Sequence, residues 1–358
     1  MALARWVQRG IQLKGQQPSN RRAVKTVPKD DGDRDEEQTI VVGIDGSEHS
    51  RWALKWAADE AKRRGSLLRI VYAQISTPKD VPAWYEPGST DLSPAEAIID
   101  DAVGLVATRH PTVLARGQVE EWPASLVLTI ASRSADLLVV GARGLGGFKE
   151  LLLGSVSDQC VEYAHCPVAV VRSDVDELPL RAAEARIVVG IDGSLGSTRA
   201  LRWTLEEAQI RSATVEGIYA WQYPPVGAFV LGPIQGFEAV AEETVKAATE
   251  YAEKVAPEVR FTAHTCFNAE VPALLDAAKG ADLLVVGSKG HGGFHDALLG
   301  SVAHQCIRHA KCPVIVARPQ LPEEHSEGTT PQRGGSIRAM ADESPATSDR
   351  VSLAEVPQ

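Results

Sequence analysis

The segment Ala-Asp-Leu-Leu-Val-Val-Gly occurs at 135–141 and again at 281–287, each time opening the same glycine spacing, G-x2-G-x9-G-S. The pattern falls on Gly141, Gly144, Gly154 and Ser155 in the first copy, and on Gly287, Gly290, Gly300 and Ser301 in the second. An upstream run, Val-Val-Gly-Ile-Asp-Gly-Ser at 41–47, returns at 188–194. The offset is 147 residues for the upstream run and 146 for the glycines. Short-repeat solenoids recur roughly every 20 to 50 residues, so a period this long describes two whole domains. The 358-residue chain is long enough for two domains of about 150 residues plus tails.

Boundaries follow from composition. Residues 1–37 mix arginines and glutamines with an acidic run, and are expected to be a disordered leader. A short basic helix around Trp6 is too short to hold on its own. The first domain is expected at 38–173, a charged link at 174–185, the second domain at 186–318, and a Pro-, Ser-, Glu- and Gly-rich disordered tail at 319–358. A net charge of −10 argues against nucleic-acid binding, which draws its affinity from a basic surface. No apolar run reaches the roughly 18 residues of a membrane span, and no apolar signal core opens the chain. A cytoplasmic protein with no membrane partner is expected. Cys160 and Cys166 repeat as Cys306 and Cys312, with Cys266 unpaired. An odd count in aliphatic-rich domains reads as reduced, buried thiols.

Within each repeat, strand and helix alternate. Thr39 to Ile44 and Ile187 to Ile191 are continuous apolar runs suited to strands buried on both faces of a parallel sheet. Ser50 to Arg64 places Ala53, Trp56, Ala57 and Ala61 on one helical face, with Gly65 as the stop. Trp56 and its counterpart Trp203 read as core anchors. Second strands follow at Leu67 to Ala73 and Thr214 to Ala220, then helices at Pro94 to Arg109 and Phe237 to Val255. Third strands precede Pro123 and Pro272, each expected at the first position of its helix. The duplicated heptapeptide is the fourth strand, helices open at Ser155 and Ser301, and fifth strands fill Cys166 to Arg172 and Cys312 to Arg318. This order predicts a doubly wound α/β fold with right-handed crossovers.

Ligands of such sheets bind outside the carboxyl ends of the strands, where strand order reverses. Asp45 and Asp192 end the first strands there, and Gly141 and Gly287 end the fourth. A carboxylate can accept hydrogen bonds from ribose hydroxyls, and glycines let the backbone approach a ligand. The helices beginning at Ser155 and Ser301 offer free N–H groups and a positive dipole end to a phosphate. Singly, each feature is ordinary turn or capping chemistry. Recurring together, in order and twice, they describe an adenosine-plus-phosphate pocket. Two other phosphate motifs fail: Gly141 and Gly146 are followed by Gly147 where a Walker loop needs Lys, and Gly144-Leu145-Gly146 does not continue as G-x-G-x-x-G.

These motifs resemble the universal stress protein family, in its ATP-binding branch and tandem form. The resemblance covers 38–172 and 186–318. It implies a five-stranded Rossmann-like sheet of order 3-2-1-4-5 in each domain, with ATP at the switch point and Mg2+ accompanying the triphosphate. It assigns Asp45 and Asp192 to the ribose, and the backbone at Ala73 and Ala220 to the adenine edge. Gly141, Gly144, Gly154 and Ser155 would hold the phosphates, matched by Gly287, Gly290, Gly300 and Ser301. Gly43, Arg143, Val156 and Ser157 complete the first candidate set, and Gly190, Lys289 and Val302 the second. It also suggests that the fifth strands pair the two repeats as an intramolecular pseudo-dimer, leaving a further homodimer open.

The repeats differ in detail. Ser157 becomes Ala303, removing one phosphate or metal hydrogen bond worth about 1 kcal/mol, and Arg143 and Lys149 give way to Lys289 and His295. Tighter binding in repeat one is therefore expected. His291, His295, His304 and His309 occur in repeat two alone, so they read as solvated or phosphate-facing side chains and not as zinc ligands. No nucleophile elbow, carboxylate pair or second-substrate pocket accompanies the cradle. A nucleotide-dependent regulator in stress adaptation, acting on an unknown protein partner, is favoured over an enzyme. The alternative is a slow ATPase or an adenine-nucleotide hydrolase or transferase of related fold.

Overall fold

The computed structural model describes residues 38–74, 93–145, 152–173, 185–223, 236–290 and 299–318. The expected leader and tail, most of the link, Lys149, His291 and His295 lie outside the described residues. Repeat one contains β1 (Thr39–Ile44), α1 (Glu48–Arg64), β2 (Leu67–Ala73), α2 (Ser93–Arg109), β3 (Ala115–Glu120), α3 (Ala124–Ala131), β4 (Leu137–Gly141), α4 (Ser155–Tyr163) and β5 (Val168–Val171). Repeat two contains β6 (Arg186–Gly190), α5 (Leu195–Arg211), β7 (Thr214–Trp221), α6 (Phe237–Val255), β8 (Phe261–Phe267), α7 (Glu270–Ala277), β9 (Leu283–Gly287), α8 (Ser301–His309) and β10 (Val314–Ala317).

Local chemistry explains the boundaries. The Ser47 hydroxyl accepts the Ser50 N–H at 3.2 Å, so Ser47 caps α1 and the helix starts at Glu48, two residues before the position the sequence suggested. Gly65 ends α1 in the left-handed region at φ 66°, and Ser212 takes the same role after α5 at φ 51°. Pro123 sits at the N-cap of α3 and Pro272 at the third residue of α7, not at the first helical position. Both sites tolerate proline because the first-turn N–H groups of a helix have no intrahelical acceptor. The heptapeptides begin their strands two residues late, because Asp136 and Asp282 spend their carboxylates on the N–H groups of Thr39 and Arg186, each at 2.7 Å.

The ten strands form one sheet in the order β3-β2-β1-β4-β5-β10-β9-β6-β7-β8. Within each repeat every pairing is parallel. The repeats join through antiparallel pairing of β5 with β10, which sets Val314 opposite Val170 and Val316 opposite Val168. The expected fifth-strand pairing is therefore present, and it turns two five-stranded sheets into one. Helices α1, α2, α5 and α6 cover one face and α3, α4, α7 and α8 the other, each over a continuous apolar core. Cys160, Cys166, Cys306 and Cys312 are buried free thiols, each pushed up to about 12 by burial.

Polar contacts fasten the junction on both faces. On one, α1 and α5 meet through Glu60, Arg64, Glu207 and Arg211. Arg64 bonds Glu60 at 2.5 Å and also reaches Glu207; Arg211 bonds Glu60 at 2.5 Å and also reaches Glu207. Both glutamates are 0% exposed. Each guanidinium also lies over the other repeat's tryptophan, Arg64 at 5.7 Å from Trp203 and Arg211 at 5.6 Å from Trp56. Trp56 is a core residue as expected, while Trp203 is half-buried and packs against the core edge. On the other face, Arg172 donates to the Ile307 carbonyl of α8 at 2.8 Å, and Arg318 to the Val161 carbonyl of α4. A cation there complements the negative end of each helix. Asp158 and His304, corresponding positions of the two repeats, meet at 3.0 Å.

Candidate nucleotide site

At the carboxyl edge of the sheet β1 lies beside β4, but α1 and α4 leave for opposite faces. This is the switch point, and the residues singled out by the glycine pattern collect around it. Gly46 turns the chain at φ 82° straight after Asp45, and Gly193 does the same after Asp192. The turn aims each carboxylate across the edge. Asp45 Oδ1 accepts the Ser47 N–H at 3.0 Å, and Oδ2 accepts the Leu145 N–H at 2.9 Å. A Cβ on Gly144 would run into Asp45 Oδ2, and one on Gly290 into Asp192 Oδ2. Asp192 Oδ1 accepts the Ser194 N–H at 2.8 Å.

The carboxylates thus hold the turn and, in repeat one, the start of the glycine loop. Each carboxylate oxygen has two lone pairs, so a ribose hydroxyl could still be accepted. Gly141 is required by a close approach: a Cβ there would lie 2.7 Å from the His49 carbonyl carbon, and one on Gly287 would lie 2.6 Å from that of Gly196. After the loops, the Gly154 N–H donates to the Ala142 carbonyl at 2.8 Å and the Gly300 N–H to that of Ser288 at 2.7 Å. Gly154 and Gly300 are the N-caps of α4 and α8, with no side chain capping either helix. The first-turn N–H groups at Ser155, Val156 and Ser157, and at Ser301 and Val302, therefore open toward the edge, with Ser155 and Ser301 exposed. This arrangement suits an anion.

Not every candidate falls on that edge. A Cβ on Gly43 would meet Leu128 at 2.6 Å and one on Gly190 would meet Leu274 at 3.2 Å, so both glycines make room for α3 and α7. The Ser157 hydroxyl is buried and donates its single proton to the Gly141 carbonyl at 2.5 Å. It ties α4 to the end of β4, and while that bond lasts it cannot donate to a phosphate. Ala73 closes β2 at the same edge, paired with Glu120, while Ala220 is paired with Cys266 and stands one residue before the end of β7, which runs one residue past the expected boundary. A cavity of about 140 Å³ opens beside this edge between α1 and α2, bordered by Ile44, Gly46, Ser47 and Ile98.

Two features were missed in the sequence. Arg143 donates to His49 Nε2 at 3.2–3.3 Å, and the His49 ring lies 4.6 Å from that of Trp52. Burial first, and then the charge of Arg143, lowers the His49 pKa, which keeps an imidazole lone pair available to the guanidinium. Repeat two has Gly196 in place of His49, and there the Lys289 backbone fills the space of a side chain. Arg172 is the second feature: besides capping α8, it donates to the Leu152 carbonyl, two residues before the Gly154 N-cap, at 2.8 Å, and the nearby Arg143 charge adds to burial in lowering its pKa. Two guanidiniums thus flank the first loop. Among the described residues no group of three His, Cys, Asp or Glu side chains could hold a metal ion, and no helix is long and apolar enough to cross a membrane.

The comparisons with known proteins bear on this edge. The model of the universal stress protein family matches residues 37–172 and 185–318. Universal stress protein Rv2623 of Mycobacterium tuberculosis is 31% identical over 298 residues, spanning 79% of this chain and 97% of its own. Universal stress protein Rv2005c of the same organism is 34% identical over 295 residues, spanning 78% and 96%. A universal stress protein from Archaeoglobus fulgidus shares the fold with a TM-score of 0.55 at 18% identity, covering 78% of this chain and 96% of that one. Two family domains in one chain, each with the glycine pattern on its switch point, give the conclusion: the chain belongs to the universal stress protein family, in its tandem-domain form.

Proposed function

We propose that the protein is a two-site adenine-nucleotide sensor that binds ATP with Mg2+ and works by changing its partner choice, without turnover as its purpose. The observation that carries this reading is the meeting of Asp45 with Gly144, and of Asp192 with Gly290, beside an uncapped helix N-terminus in both repeats. A carboxylate suits a ribose and free N–H groups suit phosphates. The glycines leave no side chain between them. Mg2+ would be held mainly by phosphate oxygens and water, and would neutralise triphosphate charge beside Asp45. The protein's own groups would orient the nucleotide: Arg143 and Lys289, each one residue before the second glycine of its pattern, would serve the phosphates, and the ends of β2 and β7 the base. A cytoplasmic location and an unidentified protein partner belong to the same reading.

Calorimetry on the full chain with MgATP, alongside a phosphate-release assay, tests it. Two binding events per chain, one lost in Asp45→Ala and the other in Asp192→Ala, are expected, with turnover far below about one per second, the low end of ordinary enzymes. Turnover above that rate would move the protein to the enzyme class. Absence of binding would leave the glycine loops as turns.

A further inference from the structure

Repeat two carries a cluster that its nucleotide cradle does not explain. Trp221, Tyr223 and Phe267 pack edge to face at the carboxyl end of β7 and β8, with centroids 4.9 Å apart for Trp221 and Phe267, 5.6 Å for Trp221 and Tyr223, and 5.4 Å for Tyr223 and Phe267. Tyr223 is 50% exposed and Phe267 62%. Trp221 is the last residue of β7, paired with Phe267 and one residue beyond Ala220. Alternation along the strand puts Trp221 on the same face as Tyr219. Tyr219 lies close enough to Asp192 for that charge, after burial, to raise its phenol pKa. β6 and β7 run side by side with Gly190 opposite Ile218, so Asp192 and Trp221, two and three residues further on, come out at the same carboxyl edge of neighbouring strands. The fold does not demand rings here, because the corresponding positions of repeat one are Gln74 and Glu121.

We propose that this cluster is a base-stacking wall, with Trp221 facing the adenine ring of the nucleotide bound at repeat two and Tyr223 and Phe267 bracing it. The inference rests on the nucleotide reading above and adds a division of labour. Repeat one sets Arg143 by the phosphates, while repeat two has Lys289 in its place and holds its ligand more by the base. Repeat two should then lose less affinity than repeat one when phosphates are removed from the ligand. Stacking tolerates any planar base but strongly rewards having one.

Calorimetry on the full chain, with MgATP and with inorganic tripolyphosphate, tests the proposal. Trp221→Leu is expected to weaken ATP at one of the two sites by about tenfold, and the surface change Phe267→Ala by about threefold. Trp221→Phe should retain most of the affinity, and tripolyphosphate binding should match wild type in all three variants. Unchanged ATP affinity in both Trp221→Leu and Phe267→Ala would overturn the proposal and leave the rings to a protein partner. A loss of the same size for tripolyphosphate would also overturn it, as damage to the fold. Failure of the wild-type chain to bind ATP would sink the nucleotide reading itself; normal wild-type binding with indifferent variants would sink only the wall.

Discussion

Replacing Glu60 by Gln should be among the most damaging single changes away from the glycine-loop edge of the sheet. Burial alone would raise the Glu60 carboxyl, but Arg211 and Arg64 bring it from 4.5 down to about 2. At 1.36 kcal/mol per pH unit, that drop corresponds to about 3 kcal/mol. Glu207 opposes part of it, since burial and the Glu60 charge raise its carboxyl against the pull of Arg211 and Arg64. Truncation still leaves Arg211, whose side chain is 7% exposed, and Arg64, at 10%, sharing one carboxylate in place of two. Breaking a buried pair in this way costs about 3–5 kcal/mol, and a loss of about 3 kcal/mol is expected. Urea unfolding of the full chain at pH 7 measures it. The sign with pH follows from the lowered carboxyl: its stabilisation is present above about pH 4.5 and fades as pH falls toward about 2. Stability of the wild-type chain should therefore drop through that window more steeply than that of Glu60→Gln. A loss under about 1 kcal/mol, or the same acid slope in both proteins, would refute the reasoning.

Other outcomes follow from single positions. Ser212→Gly should stabilise by about 1 kcal/mol in the same assay, because Ser212 caps α5 in the left-handed region where Gly65 caps α1. Gly144→Ala should abolish ATP binding at repeat one while repeat two still titrates, because the added methyl displaces the Asp45 carboxylate that holds the Leu145 N–H. Iodoacetamide at pH 8 should label Cys266 first, since the other four thiols are buried and pushed up to about 12. Equal labelling of all five by mass spectrometry would contradict that burial.

The repeat made the fold legible, because a duplicated strand and glycine pattern fixes both the domain count and the edge where the site lies. Fifth-strand pairing came from the family resemblance; the short apolar runs that end each domain show only that strands lie there, and not which strands they pair with. What the sequence hid was assigned by contacts between distant residues. Gly43 and Gly190 were counted among the candidate site residues, but Leu128 and Leu274 claim the space beside them. Ser157 looked like a phosphate donor, yet the Gly141 carbonyl takes its proton. Proline at 272 marked a helix start correctly to within two residues, since any first-turn position lacks an N–H acceptor. The quartet at Glu60, Arg64, Glu207 and Arg211 had a signal that went unread: the same two charges recur at an offset of 147 on helices whose apolar faces they border. His49 and Trp221 had no such signal, being private to one repeat.

Amide hydrogen exchange of the full chain with and without MgATP tests the two-site reading most directly. Protection is expected at 141–145 and 154–157 in repeat one and at 287–290 and 300–303 in repeat two, with the β5 and β10 strands unchanged. Exchange that is the same at both glycine loops with saturating ATP would contradict nucleotide binding at the switch points.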